Sequence, residues 1–66
     1  MHIVLNGART EVQDAITAAR LLSDLGLRPE TVVVERNESV VRRAELAAAI
    51  LSEGDRVEII QMIAGG

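Results

Sequence analysis

The dipeptide Asn6-Gly7 constrains the fold more than any other local feature, because both residues tolerate the positive φ that a type I′ turn requires at its two central positions. Before it, Met1, Ile3 and Leu5 alternate with His2 and Val4, the period of a strand whose odd residues face inward. After it, Ala8 to Val12 has the length of a returning strand. The chain is therefore expected to open with a β-hairpin.

Downstream, Ala15, Ala18, Ala19, Leu22 and Leu25 recur at spacings of three and four, which places them on one face of a helix over 15–25, with Leu21 widening the stripe. Thr17 is the expected N-cap, with Asp14 as the competitor. Gly26 suits the left-handed residue of a Schellman cap, with Leu27 folding back towards Leu22, and Pro29 blocks any continuation. The valines in Thr31–Arg36 fit a buried central strand, Asn37-Glu38-Ser39 a turn, and Val40-Val41 a short strand. Ala44–Leu51 is alanine-rich and predicts a short helix or a few turns. Ser52–Asp55 reads as a turn and Arg56–Met62 as a last alternating strand. The order predicts an α+β domain, a mixed sheet of four to five strands with one main helix packed across it and a short second helical segment. Residues 1–62 are expected to form the domain, and 63–66 a flexible C-terminal tail carrying a reactive carboxylate.

Composition narrows the chemistry. At 66 residues the chain is near the lower limit for a core without disulfides or metals, and with no aromatic residue that core is aliphatic. Without cysteine there is no disulfide, no thiolate zinc site, no cysteine nucleophile and no persulfide, so any sulfur the chain carries sits elsewhere. The net charge of −3 and the lack of stacking platforms argue against nucleic-acid binding. No apolar run approaches the roughly 20 residues that span a bilayer. With no basic-then-apolar leader in view, a cytoplasmic protein is expected. All seven cations are arginine, so no side-chain amine is available for conjugation and the conjugating group left is the C-terminus.

That focuses attention on Gly65-Gly66. A bare glycine pair is a weak signal, but here it directly follows a strand. Glycine lets a chain thread a narrow channel and lets another backbone approach closely, and Ile63 and Ala64 belong to the same threading segment. A carboxylate is a poor acyl donor until joined to AMP, after which a sulfur nucleophile can displace the nucleotide; enzymes other than this chain must supply those steps.

Other candidates carry less. His2 is alone and predicted to face outward, so a surface role outweighs that of ligand or base. Arg42 and Arg43 could contact a partner or simply be solvated, and Glu53, Asp55 and Glu58 could meet a basic partner or serve the turn. If Val57 and Ile59 face the core, Ile60 and Met62 point to solvent beside the tail as a docking surface. A last strand covered on both faces is the alternative.

The joint order of the opening strand and Asn6-Gly7 turn, Val34-Glu35-Arg36-Asn37, Val40-Val41-Arg42-Arg43, Glu53-Gly54-Asp55-Arg56-Val57-Glu58-Ile59 and the terminal Ile63-Ala64-Gly65-Gly66 resembles the ThiS-type sulfur carriers of thiamin biosynthesis, in the ubiquitin-like β-grasp superfamily. The resemblance covers essentially the full length. It implies that a ThiF-like adenylating enzyme uses ATP and magnesium to activate Gly66. A sulfur donor such as a cysteine desulfurase then supplies the thiocarboxylate sulfur, and thiazole synthase, ThiG, takes it into the thiazole ring. The carrier itself would bind no cofactor or metal. The chain departs from relatives in lacking aromatics and in having Arg42 where proline is common, details of packing and surface. The small subunit of molybdopterin synthase is the related alternative, although the approach Gln61–Ala64 lacks its proline. A plain β-grasp binding module and a ubiquitin-like modifier attached through Gly66 are the alternatives of other classes.

Overall fold

Two hairpins with the same turn geometry frame the sheet of the computed structural model, which describes residues 1–62. The first joins β1 (His2–Leu5) to β2 (Ala8–Glu11) through Asn6 and Gly7, at φ 48° and 83°. The second joins β3 (Val32–Arg36) to β4 (Ser39–Val41) through Asn37 and Glu38, at φ 50° and 74°. Positive φ at both central positions matches the turn's twist to that of the strands. β5 (Arg56–Gln61) lies between the hairpins, giving the order β2-β1-β5-β3-β4, with β1 and β5 parallel and every other pair antiparallel.

The valine-rich β3 is thus an interior strand, but the centre of the sheet is β5. Val32 and Val34 are buried, whereas Val33 is only half-buried, because helices and loops cover one sheet face only.

The helix α1 spans Ala18–Asp24, shorter at its start than the periodicity suggests. Ala15 is exposed at φ 60° and takes no part in it. Thr17 is the N-cap and accepts from the Arg20 amide at 3.1 Å, while Asp14 bonds the Met1 amine instead. The amides of Ala18 and Ala19 donate to the carbonyls of Ala49 and Leu46, at 2.9 and 3.1 Å, and that of Leu21 to Thr17 at 3.0 Å. The amides of Ala18, Ala19 and Arg20, which have no partner inside the helix, are therefore satisfied, and that of Leu21 makes the first intrahelical bond.

The same bonds explain why 44–51 is not a helix beyond the single 3₁₀ turn Arg43–Glu45. Its carbonyls serve the end of α1, the Leu51 amide donates to Ile16 at 2.8 Å, and Ile50 bridges Thr17. Both Leu46 and Leu51 must reach the core, and a spacing of five does not hold two side chains on one helical face.

At its other end α1 closes with the expected Schellman pair. Leu27 donates to Leu22 at 2.9 Å and Gly26, at φ 73°, to Ser23 at 3.0 Å. A 3₁₀ turn, Pro29–Thr31, then leads into β3. The core between α1 and the sheet joins Ile3, Val32, Val34 and Val57 to Ile16, Ala18, Leu21, Leu22, Leu46 and Leu51. Leu5, Leu27 and Ile59 pack at its margin. No helix among the described residues is long and apolar enough to cross a membrane.

Candidate functional site

β5 is the last strand before residue 62, so its register decides which side chains the end of the described domain presents. Val57 is buried and Ile59 packs partly buried against the core. The alternating positions Glu58, Ile60 and Met62 face the open side of the sheet, and Ile60 and Met62 are each 48% exposed. Ile60 lies opposite the half-buried Val33, and the Met62 amide donates to the Thr31 carbonyl at 2.9 Å, so β3 supports β5 through to Met62.

Arg42 follows β4 one step beyond the last paired position, Val34 with Val41, at the same end of the sheet as Val33 and Ile60. Its exposed guanidinium is 3.4 Å from Glu45, a contact too long and too solvated to hold it in place. Arg43 opens the neighbouring 3₁₀ turn and is exposed. The register thus brings Ile60, Met62 and Arg42 to one end of the sheet, an apolar strip with a cation two strands away, whereas no register position ties Arg43 to that strip. Ile63, Ala64, Gly65 and Gly66 lie outside the described residues.

The open face also holds a feature that strand assignment alone does not disclose. Glu35 and Glu58 are directly opposite one another on β3 and β5, with the exposed Val40 next in the same row. Like charges in that position oppose each other's presence.

Asp55 is not available to a partner. It is 7% exposed and accepts from the Ser52 amide at 2.8 Å, Arg36 Nε at 2.8 Å and Asn37 Nδ2 at 3.1 Å. Burial would push its carboxyl up, but the Ser52 amide, the Asn37 amide group and the Arg36 guanidinium together hold it below the ordinary carboxylate value. The result is a pin between the β3–β4 hairpin and the loop before β5.

His2 faces Glu53, its Nδ1 3.0 Å from Oε2, which ties the start of β1 to that loop. No group of three potential metal ligands occurs among the described residues.

Two further polar contacts act on β5, one from each hairpin turn. Asn37 donates its backbone amide to the Arg56 carbonyl at 2.7 Å and accepts from the Arg56 amide through Oδ1 at 2.9 Å. Asn6 donates to the Val57 carbonyl at 2.9 Å and accepts from the Ile59 amide through Oδ1 at 2.8 Å. The sequence marks both asparagines as turn residues; what it lacks is any local sign that their side chains reach a strand far along the chain. Beside Asn6, a cleft lined by Leu5, Leu25, Leu27, Ile59 and Gln61 flanks the end of β5.

Comparison with known proteins gives this geometry a family. The model of the ThiS family matches residues 3–66. A thiazole synthase from Magnetococcus marinus is 42% identical over the whole chain, which spans a fifth (20%) of that longer protein. The sulfur carrier protein ThiS of Escherichia coli is 30% identical over the full length of both chains. Among solved structures, the crystal structure of the thiamine biosynthesis protein ThiS from Geobacter metallireducens superposes with a TM-score of 0.86 at 32% identity, covering both chains completely. The mixed five-stranded sheet with one helix is the β-grasp arrangement of these relatives, and the chain belongs to the ThiS family.

Proposed function

We propose that this chain is a sulfur carrier of thiamin biosynthesis, a protein co-substrate rather than a catalyst, acting in the cytoplasm with Gly66 as its working residue. The observation that carries the reading is the correspondence with the sulfur carrier protein ThiS of Escherichia coli across the full length of both chains. The family match extends through residue 66 and so includes Gly65-Gly66.

The Gly66 carboxylate attacks the α-phosphorus of ATP on a ThiF-like adenylating enzyme, which holds the magnesium, and pyrophosphate leaves. The terminal sulfur of a persulfide, supplied by a donor such as a cysteine desulfurase, then attacks the acyl carbon, and AMP departs with the bonding electron pair. The acyl disulfide so formed is cleaved by a thiol reductant, which is oxidised to a disulfide and leaves the thiocarboxylate on Gly66. Thiazole synthase takes up that sulfur and returns the carboxylate; this choice of acceptor is supported by the similarity to the thiazole synthase of Magnetococcus marinus. Gly65, Ala64 and Ile63 thread the partner's channel, where missing or small side chains let the surrounding backbone close in. Ile60 and Met62, with Arg42 and Arg43, dock the domain so that the terminus is presented at a fixed distance. Apolar exposure beside a reactive end is the surface such docking uses.

The test is ATP–pyrophosphate exchange with the adenylating enzyme from the same source. The full chain is expected to support exchange, and the chain shortened by Gly66 is not. Equal exchange with both chains, or none with the full chain while the Escherichia coli carrier and its own enzyme exchange normally, would refute the reading.

A further inference from the structure

We infer that Asn6 is a positioning residue for the segment that ends in Gly66: its side-chain carbonyl takes over from the β1 backbone at Ile59 and fixes the direction in which β5 leaves the sheet. The inference rests on the reading in which Gly66 is adenylated.

In a parallel ladder one residue donates its amide to the neighbouring strand and accepts, through its own carbonyl, from the residue two further along that strand. Val4 donates to Asp55 at 2.8 Å, and Asn6 repeats the step by donating to Val57 at 2.9 Å. The next bond would run from the Ile59 amide to the Asn6 backbone carbonyl. At φ 48° Asn6 has already entered the turn, which carries that carbonyl away. Its Oδ1 stands in the vacated place, 2.8 Å from the Ile59 amide. Asparagine meets both demands, since it tolerates the left-handed region and presents a carbonyl of its own.

This is the last hydrogen bond that β1 and its turn make to β5 among the described residues. On the other side β3 accompanies β5 to Met62. Without the Asn6 bond, β5 beyond Val57 would be held from one side only and would be free to twist about its β3 edge. Only three residues separate Met62 from Gly66, so the direction in which β5 leaves the sheet sets where the reactive segment begins. Reactions of this kind lose rate steeply when an acyl group is misplaced by an ångström.

Asn37 provides a control. It makes the same backbone and side-chain contacts to β5, but at Arg56, the end remote from Gly66. Asn6→Gly preserves the turn, because glycine adopts the same φ, and removes only the Oδ1 acceptor. Asn6→Asp keeps an acceptor at that place, and Asn37→Gly removes the equivalent contact at the far end together with the Nδ2 bond to Asp55, so it is the more disruptive of the two glycine variants for the fold.

The experiment measures amide exchange by NMR for the three variants and the wild type, together with kcat and KM for adenylation, under conditions where each variant is folded. In Asn6→Gly the Ile59 amide is expected to exchange about tenfold faster, as for loss of one hydrogen bond. The kcat for adenylation falls by about tenfold with KM little changed, since docking through Ile60 and Met62 is intact. Asn6→Asp restores both, and Asn37→Gly leaves kcat at the wild-type value. If Asn6→Gly is adenylated with wild-type kcat, or if Asn37→Gly loses as much, the positioning role is overturned while the proposed function stands. If the wild-type chain itself is not adenylated, both fall together, and that result is recognisable because it precedes any variant.

Discussion

Replacing Asp55 by asparagine removes the charge that pins the β3–β4 hairpin to the loop before β5 while keeping the shape of the side chain. The native carboxylate accepts from three donors, the Ser52 amide, Arg36 Nε and Asn37 Nδ2. An asparagine offers one oxygen to them and turns its own donor towards at least one of the others. Loss of a hydrogen bond to a charged group costs about 1.5–3 kcal/mol, and an opposed donor adds to that. The partial exposure of Arg36 tempers the charge contribution, so a loss of about 2–3 kcal/mol is expected. A domain of this size has roughly 3–10 kcal/mol of total stability, so the loss lowers Tm by about 10–20 °C without abolishing folding. With no aromatic residue in the chain, far-UV circular dichroism is the probe.

The pH dependence sharpens the test. Because the folded carboxyl lies below its unfolded value of about 4, its contribution is complete above that value and disappears as pH falls through the folded one. The gap between wild type and Asp55→Asn should therefore be full at pH 6 and narrow steadily below pH 4. A variant that melts with the wild type at pH 6, or a gap unchanged at pH 3, would refute the assignment of Asp55 as an ionised structural pin.

Three other perturbations separate parts of the molecule. Leu22→Ala, at a side chain 1% exposed beneath the sheet, is expected to cost about 2–5 kcal/mol and leave the chain largely unfolded at 37 °C by circular dichroism. Ala15→Gly relieves a left-handed conformation that costs an alanine about 1–2 kcal/mol, against a smaller entropic cost for glycine, so its urea midpoint should rise by the equivalent of about 0.5–1 kcal/mol. Ile60→Asp, on the open face, should leave the melting temperature within a few degrees of wild type but raise KM for the adenylating enzyme by about tenfold or more, as for loss of a central contact.

What the sequence disclosed about this fold depended on how far apart the cooperating residues lie. The Asn6-Gly7 turn, the Thr17 cap, the Gly26 closure and the outward parity of Ile60 and Met62 all follow from neighbours within a few positions. Ala15 keeps the helical spacing yet lies outside α1, which starts after Thr17 where its first amides bond to Leu46 and Ala49, and no local pattern announces such partners. The same interaction holds the alanine-rich segment to one 3₁₀ turn and the turn residues after it, short of the longer helix its propensity would allow. Asp55 reads as an ordinary turn residue until Arg36 and Asn37 are folded onto it. The Asn6 contact to Ile59 spans 53 residues and exists only once β1 and β5 are aligned. The proposal for the glycine pair rests on position and family resemblance, and Gly65 and Gly66 lie outside the described residues.

Top-down mass spectrometry of the chain after incubation with ATP, magnesium, the adenylating enzyme and a sulfur donor tests the central claim most directly. The expected result is a mass increase equal to the exchange of one oxygen for one sulfur, confined to the C-terminal fragment that contains Gly66 and reversed after addition of thiazole synthase and its substrates. An unchanged mass, under conditions in which the Escherichia coli carrier is loaded by its own enzymes, or sulfur on a fragment that excludes Gly66, would contradict it.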